Sequence, residues 1–227
     1  MGILRAVIFD MDGVIIDSEP IHYQVNKDMY RELGIEVTDK EYESFIGSSN
    51  RDVWEKLKKK HKLEEVVADL IEDQENRNIH YLKNNDVKPI EGVVPLLDSL
   101  KEEKVTIGLA SSSTLSYIKA VLEKFSIIAY FDEMVSGANM ERGKPYPDIF
   151  IEITRRMNIN KEEAVVIEDS ENGVLAAKRA GLRCIGLINP SSGNQDLSEA
   201  DLTVDSLKKV NIKMLTDLIK QDAAGME

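Results

Sequence analysis

The chain has 227 residues, enough for one or two domains with a core that needs no disulfide or metal staple. Its 41 acidic residues against 29 Lys and Arg leave a formal charge of −12, which excludes the basic footprint of a nucleic-acid or acidic-lipid binder. Hydrophobic residues at 42% and charged residues at 31% describe a globular chain, and the single Cys184 excludes an internal disulfide framework or a cysteine-built zinc site.

The first residues, Met1 to Val14, contain an apolar stretch, but Asp10 and Asp12 interrupt it and no signal-peptide cleavage site follows. Met1-Gly2 opens like a myristoylation site, yet position 6 is Ala6 rather than Ser or Thr. No run approaches the apolar length of a membrane span. The expected setting is the cytoplasm, in keeping with one thiol.

Ala6 to Phe9 is the first of four short, β-branched-rich runs; the others are Thr106 to Ala110, Ala164 to Ile167 and Cys184 to Ile188. None alternates polar with apolar, so each reads as a strand buried on both faces of a parallel sheet. Helical patterns separate the last three, which predicts βαβ units. Glu133 to Ser136 is a fifth candidate strand and Leu202 to Val204 a sixth. Between Asp17 and Val87 the strand-like runs vanish. Leu33, Phe45, Trp54, Leu57, Leu70 and Ile71 there are spaced as helix faces, with Trp54 in the core they make. Residues 17–87 therefore read as a helical module inserted into a core of residues 1–16 and 88–227, with Lys88-Pro89-Ile90-Glu91-Gly92 as the return linker. Gly92 and Pro95 open the next helix, Pro147 suits the first turn of another, and Gly181 ends a third. Lys58 to Lys62 reads as a solvated helix end, His61 and His80 as surface residues, and Cys184 as buried and inert.

The chemistry concentrates where strands end. Phe9-Asp10-Met11-Asp12-Gly13-Val14 follows the first strand, and ligands of open α/β sheets bind beyond the carboxyl ends of strands. Two carboxylates two residues apart can hold a hard cation or divide the work of nucleophile and general acid/base. They can equally be turn residues. The second strand runs into Ser111, Ser112, Ser113 and Thr114, hydroxyls and amides at a helix start that suit a phosphate or an ordinary N-cap. Lys144 precedes the following helix, where it can neutralise phosphate and a nearby carboxylate or simply face solvent. The fourth candidate site, Glu168-Asp169-Ser170, suits a divalent cation or helix capping.

Taken in this order, the motifs resemble the haloacid dehalogenase superfamily, in its β-phosphoglucomutase-like branch. The matching segments are FDMDGV at 9–14, LASSS at 109–113, GKPYPDIF at 143–150 and VIEDSENGVLAAKRAG at 166–181. The resemblance covers nearly the whole chain. It implies an α/β fold, a Rossmann-like, doubly wound, mainly parallel sheet with an inserted α-helical cap. It implies that Asp10 attacks phosphorus and forms an aspartyl-phosphate. Asp12 would protonate the leaving oxygen and then activate water. Mg²⁺ would be held by Asp10, the carbonyl of Asp12, and Asp169, with Glu168 as a further ligand, either direct or one step removed. Ser111, Ser112 and Lys144 would bind the phosphoryl group. Dehalogenation is rejected, because members with that activity typically lack a carboxylate where Asp12 stands.

Substrate choice belongs to the cap. His22 matches a mutase histidine that couples cap closure to the general acid/base, although a cap-packing role is equally open. Asn50, rather than Arg51, falls where the mutase has a phosphate-binding arginine, Arg51 being either a substrate contact or a surface residue at a helix start, and Thr114 replaces a mutase lysine. These departures remove charge that would hold a distal phosphate, and favour a phosphatase of small phosphorylated metabolites acting as a monomer, with no nucleic-acid or membrane partner. The rival readings are a β-phosphoglucomutase and a non-catalytic module that binds a phosphorylated ligand.

Overall fold

The computed structural model describes residues 3–46 and 48–220; the Met1-Gly2 start and Gly47 of the segment around Asn50 lie outside them. Six strands form one parallel sheet: β1 (Ala6–Phe9), β2 (Thr106–Ser111), β3 (Glu133–Ser136), β4 (Ala164–Glu168), β5 (Arg183–Leu187) and β6 (Leu202–Val204). Their spatial order is β3-β2-β1-β4-β5-β6, the Rossmann arrangement. Every candidate strand is present, the weak sixth included; β5 begins and ends one residue earlier than the apolar run.

The absence of alternation has a direct structural cause. Val7 and Phe9 of β1 pack into one hydrophobic cluster, with Ile107, Leu109, Val165 and Ile167. Ala6 and Ile8 pack into a second, with Ala110, Val166 and Cys184. Both faces of the sheet are covered, so both sets of side chains are apolar. After the strand–loop segment that follows β1 come α1 (Glu19–Glu32), α2 (Asp39–Glu43), α3 (Asn50–His61) and α4 (Val67–Asn84), with no strand among them. Then α5 (Val93–Glu102) and α6 (Leu115–Lys124) supply Leu97, Leu100, Ile118 and Leu122 to the first cluster. Helices α7 (Asp148–Met157) and α8 (Glu171–Arg179) cover the second with Phe150, Ile153, Ala176 and Ala177. The last helix, α9 (Ile212–Lys220), returns Leu215 to the first. Gly108 lets α7 approach β2: a Cβ there would lie 2.8 Å from Met157 Sδ. No helix among the described residues is long and apolar enough to cross a membrane.

Helices α1 to α4 bury Val25, Met29, Tyr30, Trp54, Leu57, Leu70 and Leu82. Trp54 sits in that core, 1% exposed, and its indole N–H donates to Gln74 Oε1 at 3.0 Å. Gln74 in turn donates to Asn26 Oδ1 at 2.6 Å, so the buried polar atoms satisfy one another. The chain leaves and re-enters the sheet layer at one place: Ile16 bridges Pro89, and the Ile90 amide donates to the Ile15 carbonyl at 2.9 Å.

Gly92 (φ +98°) caps the start of α5, and Gly181 (φ +77°) follows the end of α8, both in left-handed backbone. Pro147 stands one residue before α7, as its N-cap. His80 is exposed as expected, whereas His61 is half-buried with its Nε2 shielded from solvent. The difference arises at Lys62, whose left-handed conformation (φ +57°) ends α3 and turns Leu63 back to hydrogen-bond with Lys58. A lysine gives no advance sign of such a reversal.

Asp201, before β6, binds three groups at once: Lys178 Nζ at 2.6 Å, Arg183 Nη1 at 2.5 Å and the Cys184 amide at 2.8 Å. Burial alone would raise its pKa, but these donors outweigh it and hold the carboxyl below its usual range. A depressed folded-state pKa stabilises the fold above the unfolded value, about 3.9, and that contribution is lost as pH falls through the lower folded value. Asp201→Asn is expected to lower the unfolding free energy by about 1–3 kcal/mol at pH 7. The gap between the two proteins should hold down to about pH 5 and narrow below about pH 4, as read from urea midpoints.

Candidate active site

The parallel register brings the site together. Phe9 pairs with Leu109 on one side and Ile167 on the other, and β2 and β4 end only two and one residues beyond that level, at Ser111 and Glu168. Asp10, Ser111 and the Glu168–Asp169 pair therefore meet at one edge of the sheet. This is also where the strand order reverses direction, between β1 and β4.

After β1 the chain folds back on itself. The Asp10 amide donates to the Ile167 carbonyl at 3.0 Å, and the Met11 carbonyl accepts from Ile15 (2.8 Å) and Ile16 (3.1 Å). Gly13 has φ +78°, and a Cβ on it would fall 1.8 Å from Asp169 Oδ2. The loop needs glycine twice over, for its backbone and for the approach of Asp169. Gly173 does the same for Glu168: a Cβ there would lie 1.9 Å from its carboxyl carbon.

Lys144 is the centre of the cluster. Its side chain is 8% exposed, and its ammonium reaches Asp10 Oδ1 (2.5 Å), Glu168 Oε1 (2.6 Å) and the Ala110 carbonyl (3.1 Å). Of the two fates open to it in the sequence, the buried one holds. Although burial opposes its charge, the two carboxylates keep its pKa above the ordinary lysine value. The second oxygen of Glu168 accepts from the Asp169 and Ser170 amides and from the Ser170 hydroxyl. Glu168 is thus tied on both oxygens and is wholly buried. Ser170, not Glu168 or Asp169, caps α8. Asp169 receives the Ser192 hydroxyl.

The two aspartates of the first loop live in opposite environments. Burial raises Asp10 well above the usual carboxylate range; Lys144 offsets this in part, and the charges of Glu168, Asp12 and Asp169 add to it. Asp169 is pushed up to about 7, mainly by burial and then by Glu168. Asp12 is pushed upward by burial as well, but His22 and the hydroxyls of Ser18 and Ser113 more than compensate and leave it low. The Ser113 hydroxyl donates to Asp12 Oδ2 at 2.7 Å, and Ser111 lies 3.4 Å from the same oxygen. His22 Nε2 is 3.6 Å from Asp12 Oδ1, and Asp12 raises its pKa against the effect of burial.

The donor set fits a divalent cation. Asp10, Glu168 and Asp169 each offer a carboxylate oxygen within 4.8 Å of the others, and three carboxylates exceed the single charge of Lys144. With Glu168 committed to Lys144 and Ser170, Asp10 and Asp169 are the carboxylates left to bind an ion directly.

The remaining residues divide. Ser111 is fully buried and accepts from the Ser113 amide at 3.0 Å, while Ser112 is exposed at the loop surface. Thr114 caps α6. Asn50 and Arg51 open α3 as exposed residues, and no hydrogen bond or ion pair joins either to the Asp10 cluster among the described residues. Sequence reading passed over Ser18, Ser192 and Asn189, whose side-chain amide donates to the Gly13 carbonyl at 3.1 Å. Asn189 and Ser192 follow the carboxyl end of β5, and strand-end position was the signal that could have found them.

Comparison with known proteins identifies the family. The family model for haloacid dehalogenase-like hydrolases matches residues 7–187. The phosphorylated carbohydrates phosphatase of Thermotoga maritima is 32% identical over 87% of this chain and 91% of its own length. The β-phosphoglucomutase of Bacillus subtilis is 29% identical over 93% of this chain and 94% of its own. The crystal structure of β-phosphoglucomutase from Clostridium difficile superposes with a TM-score of 0.83 at 26% identity, covering 98% of this chain and all of that one. From the register that gathers the carboxylates to the motifs that supply them, the chain belongs to the haloacid dehalogenase-like hydrolases.

Proposed function

We propose that this protein is a Mg²⁺-dependent phosphatase of small phosphorylated sugars or related metabolites, with Asp10 as nucleophile. The observation that carries the reading is the contrast between two carboxylates two residues apart. Asp10 is oriented by Lys144 within the acidic cluster, and Asp12 is held apart from it by His22 and Ser113. Asp10 thereby faces the phosphoryl site, and Asp12, paired with His22, stands where protons can be relayed to and from a leaving oxygen.

In this reading Lys144 fixes one Asp10 oxygen and leaves the other to attack phosphorus. The bond from phosphorus to the substrate oxygen breaks as the aspartyl-phosphate forms. His22, whose pKa Asp12 raises, supplies the proton that Asp12 passes to the departing oxygen, and the pair later takes one from the attacking water, which returns Asp10 as a carboxylate. Ser111 and the loop amides that follow it, with Lys144, would receive the phosphoryl oxygens. Asp10, the Asp12 carbonyl and Asp169 would hold Mg²⁺, whose charge would offset that of the phosphoryl group. Residues 17–87 would form a cap domain over a core of 1–16 and 88–227, joined where Ile16 meets Pro89.

The phosphatase reading is favoured over a mutase by the placement of Asn50 and Arg51, exposed and without a bond to the cluster. The likeness to a β-phosphoglucomutase keeps the mutase as the second reading. Release of inorganic phosphate from β-glucose 1-phosphate supports the first; glucose 6-phosphate formed in the presence of a bisphosphate primer supports the second.

Asp10→Asn is expected to keep the fold and reduce p-nitrophenyl phosphate hydrolysis at least about a thousandfold, with circular dichroism as the control; normal turnover by that variant removes the nucleophile from the scheme. Gly13→Ala should displace Asp169. Its Mg²⁺ concentration for half-maximal activity should rise by about tenfold or more, measured by titration after chelation.

A further inference from the structure

Beyond Asp12, helices α4 and α6 face one another across the seam between the helical segment and the sheet. Glu75 and Asn78 lie three residues apart on α4 and so share a face. Glu75 accepts hydrogen bonds from the Thr114 and Ser116 hydroxyls at the start of α6. Thr114 directly follows Ser113, the residue bonded to Asp12. Asn78 meets His22, which stands against Asp12 from the other side. From α6 comes Tyr117, its ring 5.9 Å from that of His22 and the residue 3% exposed, with a hydroxyl that no protein group satisfies.

The charges around the Asp12–His22 pair and at the adjoining seam are one-sided. Asp12, Asp17, Glu19 and Glu75 are acidic, and Glu19 interacts with both Asp12 and His22. Of these five described residues, His22 is the one titratable cation. Lys144 lies on the phosphoryl side and is already shared by Asp10 and Glu168. A second phosphate on the leaving group would therefore enter a compartment of carboxylates. A neutral hydroxyl could donate to Glu75 and accept from Tyr117.

The geometry points to Glu75 as a specificity-determining residue: its carboxylate, fixed across the α4–α6 seam, selects an uncharged, hydroxyl-bearing leaving group, with Tyr117 as hydrogen-bond donor, and rejects one that carries a second phosphate. This rests on the phosphatase reading above. It adds to that reading a discrimination carried by one charge.

The test compares glucose 6-phosphate with glucose 1,6-bisphosphate, bound by calorimetry in Mg²⁺ to D10N and to D10N/E75Q. Removing the charge should raise bisphosphate affinity relative to monophosphate by about tenfold at low salt, and the shift should shrink in about 0.5 M salt. D10N/T114V breaks one hydroxyl contact and keeps the charge, so its ratio should match that of D10N. An unchanged ratio in D10N/E75Q, equal weakening of both ligands, an equal shift from T114V, or no binding of either ligand overturns the inference. Hydrolysis of p-nitrophenyl phosphate by the wild-type chain reports on the phosphatase reading separately, so the two failures are distinguishable.

Discussion

One buried ammonium organises the sheet edge. Lys144 joins Asp10 after β1, the Ala110 carbonyl of β2 and Glu168 of β4, so three strand ends share a single cation. Desolvating such a group costs several kcal/mol unless its partners are close and well aimed, and here every partner lies within 3.1 Å. The arrangement orients Asp10 and holds Glu168, which through Ser170 is linked to the start of α8. Deleting the ammonium would leave adjacent carboxylates facing one another in a nearly dry site.

The glycines and serines around this centre are consequences of that crowding. Gly13 and Gly173 stand where a methyl group would strike the carboxylates of Asp169 and Glu168. Ser192, Ser170 and Ser113 each satisfy a carboxylate without adding bulk or positive charge. Small residues let the acids approach; hydroxyls then satisfy their oxygens.

The inner strands were legible because a doubly buried strand has only one composition available to it; β6, at the edge of the sheet with Thr203 exposed, showed only Leu202 and Val204. Asp10, Asp12, Ser111 and Asp169 were legible because they sit at strand ends. The burial of Lys144 was not, since its partners lie 134 and 24 residues away and its neighbours Gly143 and Pro145 read as an ordinary loop. Among the consecutive hydroxyls after β2, composition could not tell buried Ser111 from exposed Ser112, nor single out Ser113 as the partner of Asp12. That distinction depends on which way each side chain points as the strand gives way to the cap of α6. The half-buried His61 depends similarly on one left-handed residue, Lys62.

The position of β1 has a consequence for how the molecule comes into being. It is a central strand and precedes the other five in the chain, yet Ala6 pairs with Thr106 on one side and Ala164 on the other. During synthesis the Asp10 strand is therefore unpaired until Thr106 appears, and flanked on one side only until Ala164 appears. Contacts so distant in sequence make assembly slow. Helices α1 to α4, by contrast, are complete before either neighbour of β1 has been synthesised. The order of translation thus favours a structured helical segment waiting for a sheet, with the catalytic edge among the last parts to close.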